Sequence, residues 1–169
     1  KVLEADLVAM SRTWGERFRT AIAERDLSAE LRAAAPLFHG AFNAAYREMF
    51  TPDEALLDVE CLGAINSDNP VKLRAYRLDR DVEQNIRAKI YARDGSIALS
   101  DCVPVFERMG LFVDFETGYP IKPGGKPVPD APDTYWVHDL RMRRQDGRDI
   151  DLEELTEAFE AAFVVIWSG

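Results

Sequence analysis

The sequence predicts an α+β fold: an antiparallel sheet with helices on one face, preceded by an N-terminal helical segment. Three observations carry this. Apolar residues recur at helical spacing through residues 1–65. From residue 70 the period drops to two, the signature of strands. Helix-like stretches interrupt that alternation after Asp94-Gly95 and again after Asp151, so the order is ββαββα.

In the first segment, Trp14, Phe18 and Ile22 form one stripe, and Leu31, Ala35, Phe38, Phe42, Ala45 and Met49 a second. Pro36 fits the start of a new helix, where its missing N–H does no harm. "TPDEALLDVECLG" is a well-signalled helix. Thr51 is its N-cap, Pro52 its first position, Glu54 closes a capping box, and Gly63 offers a left-handed exit. Its acidic run, "DEALLDVE", reads as a solvated face.

"VKLRAYRL" (71–78) and "NIRAKIYA" alternate as strands, the second with Ile86, Ala88 and Ile90 opposite Arg87, Lys89 and Tyr91. After the turn, Ser100 or Asp101 caps a helix that carries Pro104 in its first turn and stops at Gly110. "LFVDFETGY" is a third strand. "PIKPGGKPVPDAPD" has too few N–H groups to feed a sheet and reads as an exposed loop. "TYWVHDLRM" is a fourth strand. Asp151 and Glu154 open a final helix with Leu152, Leu155, Phe159, Ala162, Phe163 and Ile166 on one face. From residue 85 the order supplies five of the six elements of a ferredoxin-like unit. Residues 71–78 could supply the sixth strand from the other side, as a circular permutation would. The expected division is a helical connector over 1–65 and a sheet domain over 66–169.

The chain has 169 residues and a net charge of −9. An acidic surface repels phosphate backbones, so nucleic acid and anionic membranes are not expected partners. No apolar run approaches a membrane span, and the N-terminus shows no signal peptide. The two cysteines, Cys61 and Cys102, form no CxxC pair and suit a reduced, cytoplasmic setting. A first residue of Lys suggests a piece of a longer chain.

Chemistry is sparse. "GGKP" at 124–127 lacks the spacing of a phosphate loop, and no GxGxxG occurs. Cys102, His138 and Asp139 nominally furnish a nucleophile, a base and an orienter. Yet Cys102 falls on an apolar helix face, as small filler would, and neighbouring strand residues point to opposite faces. No catalytic, cofactor or metal residue is assigned. One candidate binding site remains, the turn from Arg93, Asp94, Gly95 and Ser96 to Ser100 and Asp101. It delivers the chain to a helix N-terminus, where free N–H groups could hold a carboxylate, with Arg93 assisting and Asp94 taking an ammonium. The competing reading is an ordinary turn satisfied by its own Ser100 cap.

"IRAKIYARDGSIALSDCVPVFERMGLFV" followed by "YWVHDLRM" resembles the last ACT-like module of the large bacterial NAD-specific glutamate dehydrogenases. "TWGERFRTAI" and "AFNAAYREMFTPDEALLDVECLGAI" resemble the helical connector before it, and "FEAAFVVIWSG" also fits. The resemblance covers nearly the whole chain. It implies an ACT-like fold and a long, cytoplasmic, homo-oligomeric parent that oxidises L-glutamate to 2-oxoglutarate and ammonia with NAD. Catalytic and NAD-binding residues would lie C-terminal to this region, so none is carried over and the chain itself needs no cofactor. The expected partners are the rest of the parent chain, further copies, and an amino-acid effector at the first βα loop. Effector loops of such modules carry a glycine nearer the helix than this one does, where Ile97, Ala98 and Leu99 stand. That favours assembly over sensing. The expectation is a non-catalytic regulatory or assembly module. The alternatives are a free-standing small enzyme, or a partner-docking domain using the acidic helical arm.

Overall fold

The computed structural model describes residues 14–76, 85–93, 99–144, 151, 153–159 and 161. The helical part comprises α1 (14–24), α2 (Ala29–Ala34), a 3₁₀ turn (Ala35–Phe38), α3 (Ala44–Met49) and α4 (Pro52–Ala64). Then follow β1 (Val71–Tyr76), β2 (Asn85–Ala92), α5 (Leu99–Arg108), β3 (Leu111–Ile121), β4 (Tyr135–Arg144) and α6 (153–159).

The strands form one sheet in the order β1-β2-β4-β3, every neighbouring pair antiparallel. β1 lies beside β2, with Val71 opposite Ala92 and Tyr76 opposite Arg87. It thus fills the place of the missing sixth strand of a ferredoxin-like unit. β2 and β3, joined through α5, flank β4 as a split β-α-β unit does.

Alternation gives the sheet two different faces. Leu73, Ile86, Ala88, Ile90, Leu140 and Met142 pack against Cys102, Val105 and Phe106 of α5 and against Leu155 and Phe159 of α6. The Phe106 and Phe159 rings stack at 4.6 Å. Each large aliphatic or aromatic side chain buried here contributes roughly 1.5–3 kcal/mol. The opposite face presents Tyr76, Tyr91, Tyr119, Tyr135 and Val137 to the helical part, which packs onto it with Phe18, Phe38, Phe42, Tyr46, Phe50 and Leu62. Trp14 joins this aromatic layer and donates its indole N–H to the Phe50 carbonyl at 2.9 Å. β2 is therefore covered on both sides, and both its residue sets are buried.

Several local expectations hold. Thr51 accepts from the Glu54 N–H at 3.2 Å, with Pro52 as the first helical residue. Asp151 accepts from the N–H groups of Glu153 and Glu154. α5 gives way at Gly110, whose φ of 80° suits a residue without Cβ. Of the predicted α6 face, Leu155 and Phe159 are buried. Leu152, Ala162, Phe163 and Ile166 lie outside the described residues, as far as their side chains are concerned.

Others are corrected. Gly63 lies inside α4, which ends at Ala64 with Ile65 extended, so it is no left-handed exit. The second helical stripe breaks after Phe42. Asn43 caps α3, accepting from the Tyr46 N–H at 2.9 Å, and the reset turns Tyr46 inward instead of Ala45. Pro36 does stand in the first turn of a new helix, a short 3₁₀ one over Ala35–Phe38. α5 begins at Leu99, so Ser100 and Asp101 sit within its first turn and Pro104 within its body. β3 runs two residues further than expected, with Pro120 opposite Trp136 and Ile121 opposite Tyr135. An edge strand tolerates proline because an outward N–H is not needed there. The proline-rich loop that follows is anchored to the helical part. Gly124 donates to the Leu37 carbonyl at 2.8 Å and Lys122 to that of Ala41 at 3.2 Å.

Candidate functional site

The densest polar constellation sits where α4 meets the sheet. Glu54 and Asp58 are one turn apart and so share a helix face. That face also carries Ala55, Val59 and Leu62 and is buried. Across from it, Arg74 of β1 and Lys89 of β2 are directly paired, as are Lys72 and Tyr91. Strand alternation turns Arg74, Lys89 and Tyr91 toward α4.

The ammonium of Lys89 donates to Asp58 Oδ2 at 2.7 Å and to Glu54 Oε1 at 3.0 Å. It also lies 3.6 Å from the centre of the Phe50 ring. Tyr91 donates to Asp58 Oδ1 at 2.6 Å, and Tyr46 donates to Asp58 Oδ2. Arg74 donates to Glu54, to Asp58 at 3.2 Å and to the Tyr91 hydroxyl at 3.1 Å. Lys89 and Asp58 are both 0 % exposed. Burying an ion costs several kcal/mol, which only dense pairing offsets. Here each charge meets several partners. Beside this cluster, Asp139 of β4 accepts from Tyr76 and lies 3.5 Å from Arg87 Nη1.

The ionisation of the cluster follows from this packing. Burial, with Asp58 close by, pushes the Tyr46 and Tyr91 hydroxyls well above their ordinary range. Burial and Asp139 do the same to Tyr76. Burial disfavours the charge on Glu54, but Lys89 and Arg74 outweigh it and hold the carboxyl below its usual range. Burial likewise opposes the Arg74 charge, and Tyr91, Asp58 and Glu54 reverse the balance. Asp139 goes the other way, its burial outweighing the help of Tyr76, Lys89 and Arg87.

These groups are saturated with internal partners. Asp58 and Lys89 are sealed between α4 and the sheet, while Arg74 and Glu54 keep a small exposed fraction, and together they clasp the two parts of the chain. The expectation that "DEALLDVE" forms a solvated face is thereby corrected. Asp53 and Glu60 are exposed, whereas Glu54 is largely enclosed and Asp58 wholly so. A signal was present, because Asp58 falls at i+3 from Ala55 and i−4 from Leu62, inside the apolar stripe.

The turn singled out from sequence is only partly described. Arg93, at the end of β2, is buried and turned to the proline-rich loop, with Nη2 2.5 Å from the Asp130 carbonyl and Nη1 3.3 Å from its carboxylate. Ser100 and Asp101 sit side by side and exposed in the first turn of α5. Asp94, Gly95 and Ser96 lie outside the described residues.

The nominal triad is separated by the sheet. His138 Nδ1 is 2.9 Å from Glu116 Oε1 and packs over Gly118, where a Cβ would lie 3.3 Å from that nitrogen. Asp139 is on the other face with Tyr76 and Arg87. Cys102 is buried in the α5 core, and burial, reinforced by Asp101 and Glu116, pushes its thiol up to about 12. Among the described residues, no group of His, Cys, Asp and Glu is placed to hold a metal ion. Nor is any helix among them long and apolar enough to cross a membrane.

Residues 70–155 match the family described as "Glutamate dehydrogenase, ACT3 domain". The chain belongs to the glutamate dehydrogenase ACT3 family. Residues 30–65, just before the ACT3 sheet, match "Glutamate dehydrogenase, helical motif 2". Over 168 residues the chain is 30% identical to the NAD-specific glutamate dehydrogenase of Pseudomonas aeruginosa, covering 99% of this chain and 10% of that one. Over 169 residues it is 31% identical to the NAD-specific glutamate dehydrogenase of Halomonas elongata, covering 100% of this chain and 10% of that one. The chain thus spans about a tenth of the length of these curated relatives. The Asp58–Lys89 clasp joins a residue of the helical-motif match to one of the ACT3 match.

Proposed function

We propose that this chain is a non-catalytic regulatory or assembly module of a large NAD-dependent glutamate dehydrogenase. In that parent, L-glutamate, NAD and water would give 2-oxoglutarate, ammonia and NADH at a site outside this region. Residues 1–65 act as the helical connector and residues 66–169 as the ACT domain. The observation that carries this reading is the clasp. It spends two fully buried charged groups, Asp58 and Lys89, on holding the connector against the ACT sheet, so that a displacement of one is passed to the other. The turn from Arg93, Asp94, Gly95 and Ser96 to Ser100 and Asp101 would be the place for an amino-acid effector. What supports it is that the loop falls within the ACT3 match and that Ser100 and Asp101 are exposed in the first turn of α5.

Two measurements test this. The purified chain, given glutamate and NAD, should produce no NADH; turnover by the chain alone would contradict the non-catalytic role. In a full-length relative of this family, breaking the clasp at the position of Lys89 should change subunit assembly or the dependence of rate on amino acids. Unchanged assembly and unchanged kinetics would remove the regulatory and assembly reading.

A further inference from the structure

The helical part covers only one end of its sheet face. Toward the other end, Phe112 and Phe115 of β3 are 45% and 65% exposed. The register shift between Val113 and Phe115 keeps both on this face, opposite Arg143 and Arg141 of β4. The Arg143 guanidinium lies over Phe112 at 5.6 Å and that of Arg141 over Phe115 at 5.4 Å. Arg143 has a carboxylate, Asp114, at 3.2 Å. Arg141 differs. Its cross-strand partner is another cation, Arg87, and the nearby Asp139 is engaged by Arg87 and Tyr76. Its Nε is buried with no hydrogen-bond partner among the described residues. A guanidinium is always charged and only donates, so a buried, unmatched N–H calls for an acceptor.

We propose that this surface docks an acidic segment of another polypeptide. One carboxylate of the segment would meet the Arg141 guanidinium at its terminal N–H groups and a second would lie near Arg143, while an apolar residue packs on Phe115. Charge complementarity argues for the acid, since cations are concentrated here on a chain whose net charge is −9. Openness argues for a polypeptide over a free amino acid. The two rings lie on an exposed edge strand and do not close round a small ligand. This surface is separate from the clasp, and its occupation does not depend on the regulatory reading above.

The test uses the 169-residue chain and a fluorescein-labelled peptide of glutamates flanking one leucine, followed by fluorescence anisotropy. The wild-type chain should bind the peptide and lose affinity as salt rises. Arg141→Gln should weaken binding about tenfold, the loss of a charge-assisted pair. Phe115→Ser, at an exposed ring, should weaken it with the fold intact. Arg47→Gln, exposed on α3, should leave it unchanged. The proposal is overturned if the wild-type chain does not bind, or if Arg141→Gln and Phe115→Ser bind as well as wild type. Displacement by free L-glutamate, carboxylate for carboxylate, would also overturn it in favour of a small-molecule site.

Discussion

Asp58 and Lys89 meet at 2.7 Å with neither exposed to solvent, one on a helix and the other on a central strand. Removing either member leaves the other buried and under-compensated. Lys89→Met and Asp58→Asn should each destabilise the chain by about 3–5 kcal/mol, within the usual range for breaking a buried pair. Urea unfolding followed by tyrosine and tryptophan fluorescence checks this. A loss below about 1 kcal/mol, the size of an exposed pair, would show that the clasp contributes little.

Glu54 gives the clasp a pH dependence of known sign. Its carboxyl is held low in the folded chain, so its contribution is present above the unfolded-state value near 4 and is lost as pH falls through the lower folded value. The stability gap between wild type and Glu54→Gln should therefore be widest near neutrality and close in acid. Asp139 titrates in the opposite sense, and comparison with this variant isolates Glu54 from it. A gap that widens on acidification would reverse the assignment.

Much of this architecture was legible in the sequence. Strand alternation places β1 to β4, Gly110 marks the end of α5, and the candidate sixth strand lies beside β2 over its described residues, Val71–Tyr76. Each half of the clasp looks ordinary alone. An acidic helix and a strand with alternating cations both suggest solvated faces. The helical period does place Asp58 inside the apolar stripe of α4, but which cations it meets is decided by the packing of the connector onto the second sheet face, a long-range fact. The same packing explains why the proline-rich loop, exposed by composition, donates its backbone to Leu37 and Ala41.

Cys102 is packed among Ile90, Val105 and Leu140, with its thiol pushed up to about 12. At neutral pH it should resist alkylation in the native chain and react once denaturant is added. Rapid native labelling at Cys102, read by mass spectrometry, would revive the small-enzyme alternative.

Gly110 takes a φ of 80° where α5 turns into β3, with open space where a Cβ would stand. Strain therefore decides the outcome, and Gly110→Ala should cost about 1–2 kcal/mol. Thermal unfolding measures it. An alanine chain of equal or greater stability would mean the turn relaxes to another backbone conformation.

Buried charges fasten α4 to the ACT sheet. Amide hydrogen exchange in Asp58→Asn tests it most directly, compared peptide by peptide with wild type. Exchange should be faster across Pro52–Ala64 while the β3–β4 ladder keeps its protection. Unchanged protection of α4 in that variant would contradict it.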